Sequence, residues 1–412
     1  MVDKNYTLTR YACYSANVSM AAVASLSPLL FMTFRRLYGL SYSMLGALVL
    51  IGFCTQLLMD LVFSFWAHKF NITAVVRVMP ALTAAGLISY ALLPFFFPDY
   101  AAAGIIVGSM IFSASGGIAE VFVSPVLAAL PSKTPDRDMS RLHSMYAWGV
   151  VAVAILSTLY LKAFGDTSWH LLALLWAIVP LCSLVLFLRA PIPQLSTEKQ
   201  VTGAFRFAVK GKFLLCFFCI FFGGASECTM SQWSSGYLEQ ALGIDKVWGD
   251  VFGVAMFAVM LGLGRSLYAS FGKNIKKVLT AGAAGAVVCY IVAAVSASPL
   301  PGLIACAMTG FCTSMLWPGS LIVASERFPS GGVTLFALMA AGGDLGGSVG
   351  PQIVGVVTDL VIGSDTASRF AETAGLSVEQ LGMKAGILTA ALFPIAATVL
   401  FATLLKKQRK SD

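Results

Sequence analysis

The chain has 412 residues, of which 58% are hydrophobic and only 11% are charged. Soluble domains carry about 25% charged residues, so this composition excludes an ordinary water-soluble fold and predicts a protein embedded in a lipid bilayer. The net charge of +8 fits basic loops on one side of a membrane, and no basic patch interleaved with aromatic residues indicates nucleic-acid binding.

Apolar stretches of about 20 residues, the length needed to cross the hydrocarbon, recur along the chain. The first of them is too long to be a signal-peptide core. We therefore predict an all-α integral membrane protein with twelve transmembrane helices in two six-helix bundles. The predicted spans lie near 9–33, 42–65, 76–96, 101–130, 141–163, 169–189, 212–238, 247–271, 278–297, 301–325, 333–361 and 384–406.

Basic residues predict the orientation. With a cytoplasmic N-terminus, most of the 27 Lys and Arg residues fall in inner loops, so both termini are expected in the cytoplasm, and the membrane is expected to be a bacterial inner membrane. Residues 190–211 are polar and basic, and this predicts a cytoplasmic linker between bundles 1–189 and 212–412. The end of the linker, around 203–212, could form an amphipathic helix on the membrane surface.

The two halves resemble each other in sequence, which favours duplication of a six-span unit. Residues 37–53 align with 241–257, and a later segment aligns in the same way. The matched pairs include Gly39 with Gly243, Gly117 with Gly310, and Pro125 with Pro318. Two parallel six-span halves are the plan of major facilitator transporters, whose substrate site lies near the midplane between the halves.

Five ionisable residues fall inside the predicted spans: Asp60, Glu120, Glu227, Arg265 and Asp344. Each costs about 2.5–3.5 kcal/mol or more at the bilayer centre unless it is paired or hydrated, so each is expected to face a partner or water. Glu120, in span four, has no basic neighbour in sequence. It is predicted to handle protons or solute hydroxyls, with a structural hydrogen bond as the alternative.

Aromatic residues accompany these charges. Trp233 follows Glu227 in span seven, and an acid beside an aromatic face suits a sugar ring; an interfacial position of Trp233 is the alternative. Trp317 precedes Pro318 in span ten, where a proline kink could aim it into a cavity. Further candidates for substrate binding, each with a structural role as the alternative, are Trp148, His143, Asn17 and Gln56.

The other three charges are predicted to lie at similar depth. Asp60, Arg265 and Asp344 could form an inner-side ion network that gates the transporter, and direct substrate or proton handling is the alternative. In span eleven, Gly342, Gly346 and Gly350 recur every four residues. This spacing predicts close helix packing and not a phosphate loop.

Chemistry other than transport has little support in the sequence. All nine cysteines fall in apolar runs, so no disulfide framework is expected. Cys216 and Cys219 form a CxxC with no second ligand pair, and no metal site is predicted. The three histidines are far apart in sequence, which argues against a membrane-embedded enzyme, and a sensor would need a further soluble domain.

Four passages follow the pattern of one transporter family. They are Gly117-x-x-Glu120-x-x-x-Ser124-Pro125 in span four, Arg141-Leu142-His143 before span five, Glu227 with Trp233, and Gly264-Arg265 together with 342–359. On these residues the chain resembles the fucose permease branch of the major facilitator superfamily, the fucose–galactose–glucose:proton symporters. The resemblance implies that Glu120 belongs to the proton- and sugar-handling site.

The chain departs from that family in span one, where Ala24 stands in place of an acidic residue four positions before Pro28. Glu227 could supply the second proton-handling carboxyl, and uniport or another ion stays open. We expect a secondary active transporter that moves a monosaccharide or similar small polar solute by proton symport, with Glu120 and Glu227 coupling the proton. Efflux of an amphipathic drug or metabolite by proton antiport is the alternative. The expected partners are the solute, the proton and the bilayer; no cofactor is expected, and the chain is expected to act as a monomer.

Overall fold

The computed structural model describes residues 6–133, 135–195, 211–328 and 332–408. Within these ranges every regular segment is helical, and twelve segments are long and apolar enough to cross a membrane. The predicted fold class and number of spans are thereby confirmed. The amphipathic helix predicted around 203–212 lies outside the described residues, except for the last two, which begin span seven.

The first six spans are single helices. They form spans one to six in chain order: Thr7–Tyr38, Tyr42–Trp66, Ile72–Phe96, Ala101–Ala128, Pro135–Phe164 and Trp169–Arg189. Their shared core is built from aliphatic and aromatic side chains, with Phe63, Val76, Phe122 and Leu142 fully or nearly fully buried. The start of the linker packs on these helices, because Thr9 donates a hydrogen bond to the Pro191 carbonyl at 2.9 Å.

Several of the last six spans are interrupted helices. Span seven is Gly211–Leu242, span nine is Ile275–Val295 and span eleven is Gly332–Ile362. Span eight joins Lys246–Asp250 and Met256–Phe271 through a π-helical turn, Val251–Ala255; span ten joins Pro299–Thr313 and Leu316–Arg327; span twelve joins Val378–Ala390 and Leu392–Gln408. A short helix that hydropathy did not predict, Asp365–Thr373, precedes span twelve.

The chain divides into two compact units. The described residues up to Tyr38 and from Ile51 to the linker form the first unit, and Gly39–Leu50 joins the described residues from 211 onward in the second. The boundary between the units therefore falls in the linker, but the first part of span two belongs to the second unit. Within the second unit, the carboxylate of Asp359 accepts hydrogen bonds from the backbone N–H groups of Tyr42 and Ser43, at 3.1 and 2.7 Å.

The aligned halves adopt the same local conformations at their turns. Gly39 and Gly243, which precede the second helix of each half, both have positive φ, at 64° and 65°. This left-handed conformation has little cost only for glycine. Asn71 and Asn274 each cap the next helix by accepting a backbone N–H bond at 3.2 Å. These matches support the duplication inferred from sequence.

Span ten is interrupted within the four residues before its proline, and the predicted substrate contact of Trp317 stays a prediction. The break lies at Ser314 and Met315, and Pro318 falls in the first turn of the following helix, where a missing N–H is tolerated. The Trp317 ring packs against span eleven and is only partly buried: a Cβ added at Gly343 would lie 2.5 Å from its Cη2 atom.

The glycines of span eleven pack against span seven, which confirms their predicted packing role. A Cβ at Gly342 would meet the Phe217 ring at 2.9 Å, and one at Gly346 would collide with the backbone carbonyl of Phe221. A Cβ at Gly350 would collide with the Thr229 hydroxyl. Only glycine allows the two helix backbones to approach this closely.

Candidate functional site

Gln56 and Glu120 meet in the first unit. The Gln56 Nε2 group donates a hydrogen bond of 2.7 Å to the Glu120 Oε2 atom, across spans two and four. Glu120 is exposed on the surface of this unit, and no cationic side chain among the described residues forms an ion pair with it. Among the described residues, its hydrogen-bond partner is therefore a neutral amide. Sequence analysis identified both residues as candidates but did not predict the hydrogen bond between them.

Two glycines bring spans two and four together at this point. A Cβ at Gly117 would lie 2.5 Å from the Gln56 backbone carbonyl and 2.8 Å from the Asp60 Oδ1 atom. A Cβ at Gly116 would lie 3.3 Å from the Gln56 Oε1 atom. Asp60 is buried beside the same helix crossing. The Glu120 site consists of Gln56, Asp60, Gly116, Gly117 and Glu120.

Arg265 forms the corresponding feature of the second unit. Its Nη2 atom lies 3.3 Å from the Glu227 Oε1 atom, between spans eight and seven. Its Nε atom donates a 3.0 Å hydrogen bond to the Ser314 carbonyl at the break in span ten. That carbonyl lacks its helical donor because the residue four positions later is Pro318, which has no N–H. Sequence reasoning missed this link, although the proline signals it.

Gly264 fixes the backbone beside this arginine. A Cβ at Gly264 would collide with the Ser314 side chain and lie 3.1 Å from the Phe311 carbonyl. In span ten, a Cβ at Gly310 would collide with the Phe257 carbonyl of span eight. Spans eight and ten are therefore in backbone contact where Arg265 projects. Arg265, Glu227, Gly264, Ser314 and Pro318 are called the Arg265 site below.

The candidate tryptophans are placed differently. Trp233 is fully buried, and its Nε1 group donates a 2.8 Å hydrogen bond to the Pro351 carbonyl. Its ring also lies 6.1 Å from that of Tyr42. The ring has no exposed face in this structure, so its predicted role in stacking on a sugar stays a prediction. Trp148, by contrast, is 66% exposed.

The remaining candidates lie near the contact between spans one and five. Asn17 is buried, and its Nδ2 group donates a 2.9 Å hydrogen bond to the Leu142 carbonyl. The adjacent His143 is exposed. Asn17 thus ties two helices together, which agrees with the structural alternative weighed for it, while a substrate contact of His143 stays a prediction.

The predicted network of Asp60, Arg265 and Asp344 is divided between the two units. Asp60 belongs to the first unit, and the other two belong to the second. Asp344 is 2% exposed within span eleven. The network therefore stays a prediction, and the pairing of Arg265 with Glu227 is an addition to it. Cys216 and Cys219 are buried free thiols, and no group of three metal-ligating side chains occurs in the described ranges.

Comparison with known families gives the class of protein. Residues 12–351 match the Major Facilitator Superfamily. The chain belongs to this superfamily. As a major facilitator protein it is a transporter. The fucose permease branch within it is not decided by this match. No curated protein matches the sequence.

Solved transporters share the fold at low sequence identity. A nucleoside transporter is 12% identical, with a TM-score of 0.74 over 96% of this chain and 99% of that chain. A D-xylose–proton symporter is 14% identical, with a TM-score of 0.72 over 94% and 96%. The E. coli fucose:proton symporter is 15% identical, with a TM-score of 0.63 over 97% and 99%. Identities this low establish the fold alone.

Proposed function

We propose that this transporter carries a monosaccharide or similar polyhydroxylated solute together with a proton, by alternating access. The observation that carries the proposal is the Gln56–Glu120 pair, in which an exposed carboxyl group within a span has a neutral amide as its hydrogen-bond partner. Solvent at this position is required, because an exposed carboxylate facing hydrocarbon would be costly.

The chemistry of this pair suits hydroxylated solutes. The Gln56 amide has two donors and one acceptor oxygen, and Glu120 accepts when ionised and also donates when protonated. Sugar hydroxyls are both donors and acceptors, so each can pair with either group. A change in the protonation of Glu120 would alter this donor–acceptor pattern, and that would link proton binding to solute binding.

Glu120 and Glu227 differ in their partners, which supports different roles in coupling. Glu227 lies beside the Arg265 guanidinium, which compensates its charge, whereas the Glu120 partner is uncharged. The ionised form of Glu120 therefore has no cationic partner among the described residues. We assign proton exchange first to Glu120, with Glu227 as the second carboxyl group.

The names of similar structures agree with this proposal. Two of them are called a fucose:proton symporter and a D-xylose–proton symporter. We further propose that the chain resides in a bacterial inner membrane with both termini in the cytoplasm, because basic residues are concentrated on that side of the spans.

Uptake into proteoliposomes tests the proposal. Purified protein is reconstituted, and a panel of labelled monosaccharides and polyols is supplied outside, with the exterior either at the interior pH or more acidic. We expect an acidic exterior to drive accumulation of at least one solute, and a protonophore to abolish it. Uptake that is the same with and without the pH gradient for every solute would contradict proton symport.

A further inference from the structure

The guanidinium of Arg265 has one edge in use and one edge available. The protein uses the side edge, where Nε donates to the Ser314 carbonyl and Nη2 donates to Glu227. The end edge, formed by Nη1 and the second hydrogen of Nη2, makes no hydrogen bond to the described residues. Two parallel donors at one edge match the two oxygens of a carboxylate.

The arginine is also accessible. Its side chain is 45% exposed, compared with 15% for that of Glu227. A guanidinium open to lipid tails within a span would be costly, so its open edge is expected to face water. A solute in the same water can therefore reach this edge.

The ion pair with Glu227 is long and leaves N–H donors of Arg265 available. The Nη2–Oε1 distance of 3.3 Å is longer than that of a tight charge-assisted hydrogen bond, about 2.7–2.9 Å. The Glu227 Oε2 atom has no hydrogen-bond partner in the described part of the chain. A loose ion pair of this kind can exchange its acid for that of a solute.

The arginine is fixed in position before any solute arrives. Pro318 leaves the Ser314 carbonyl without a helical donor, and Arg265 Nε takes that place at 3.0 Å. The contact at Gly264 holds the two helices together at the same level. A preorganised guanidinium loses less side-chain freedom on binding, which strengthens recognition.

We infer that the solute carries a carboxylate and that Arg265 binds it at its free edge. The inference rests on the proposed function and narrows its substrate class to hydroxylated acids, such as sugar acids. Arg265 would contact the carboxylate, and Pro318 would act as a positioning residue for Arg265.

Matched acidic and neutral solutes test this inference. Gluconate is compared with sorbitol, and glucuronate with glucose, by thermal shift and equilibrium binding on purified protein and by uptake into proteoliposomes. We expect at least one acid to bind and to exceed its neutral partner at least about tenfold in affinity, the range of one charged hydrogen-bonded contact.

Variants of the site make the test specific. We expect R265Q to lower acid affinity at least about tenfold more than it lowers neutral-solute affinity. R265K keeps the charge but loses the planar fork, so it should also weaken acid binding, and it decides the question if R265Q does not fold. E227Q removes the competing carboxylate and should strengthen acid binding. R369Q, on the exposed Asp365–Thr373 helix, is the matched control and should behave as wild type.

The positioning role of Pro318 has its own readout. In P318A the restored N–H competes with Arg265 for the Ser314 carbonyl, so we expect weaker binding of acids but unchanged binding of neutral solutes. A purely structural role would change both equally or neither, and that result would remove Pro318 from the proposal.

The outcomes separate this inference from the proposed function. Binding or uptake of neutral solutes alone, with R265Q equal to wild type, would overturn the carboxylate inference and leave proton symport standing. Acid binding that depends on Arg265, without uptake driven by a pH gradient, would support the inference and overturn proton symport. No binding of either class would overturn both.

Discussion

At the scale of single residues, Glu120 gives the most direct test of coupling. The substitution E120Q keeps the size of the side chain and a hydrogen bond to Gln56, but it removes the group that exchanges protons. We expect proton-driven accumulation to be lost while exchange of labelled for unlabelled solute across the membrane persists, because exchange needs no net proton movement. Both are measured in proteoliposomes.

The matched control is E372Q, an exposed acid on the short helix before span twelve. It should accumulate solute as wild type does. An E120Q protein that still accumulates solute in response to a pH gradient would remove Glu120 from the coupling step, and a protein that loses exchange as well would assign it to solute binding.

At the scale of helices, the packing of span eleven on span seven predicts a difference between two glycines. In G346A the new methyl group would collide with the Phe221 carbonyl, so we expect a loss of about 1–3 kcal/mol in stability. In G262A the methyl group has nothing within 4 Å, and the higher helix propensity of alanine should leave stability equal or raised. Thermal unfolding in detergent measures both, and equal melting temperatures would contradict the packing argument.

Hydropathy predicted the spans because crossing hydrocarbon imposes a length and a composition that are visible residue by residue. The glycine stripe of span eleven was predictable for a similar reason, since its four-residue spacing places Gly342, Gly346 and Gly350 on one helix face. The breaks were not predictable in this way. The π-helical turn Val251–Ala255 and the break at Ser314 change only the hydrogen-bond register, which hydropathy does not contain.

The candidate sites were predicted in part. Charged residues within spans are rare, and their cost identified Glu120, Glu227 and Arg265 from sequence alone. The partners of these residues depend on which helices are in contact, and helix contacts cannot be read from a single sequence. Gln56 was identified as a polar residue within a span, but not as the partner of Glu120. Similar predicted depth in the membrane linked Arg265 to Asp60 and Asp344. The structure pairs Arg265 with Glu227.

At the scale of the whole molecule, the distribution of basic residues predicts the topology. A green fluorescent protein fused to the C-terminus should fluoresce, because it folds only in the cytoplasm. Alkaline phosphatase fused after Thr373, in the loop before span twelve, should be active, because it folds only outside. The reverse pattern at either position would contradict the proposed orientation.

The cap that Asp359 places on the start of span two has a consequence for how the molecule can be divided. Residues Gly39–Leu50 belong to the second compact unit although the linker lies far downstream of them. A gene cut at the linker would therefore yield a C-terminal fragment that lacks one of its own pieces, with Asp359 and Gly355 uncovered. Such a fragment should be soluble in detergent as a folded species only when the N-terminal fragment is co-expressed and restores that helix end.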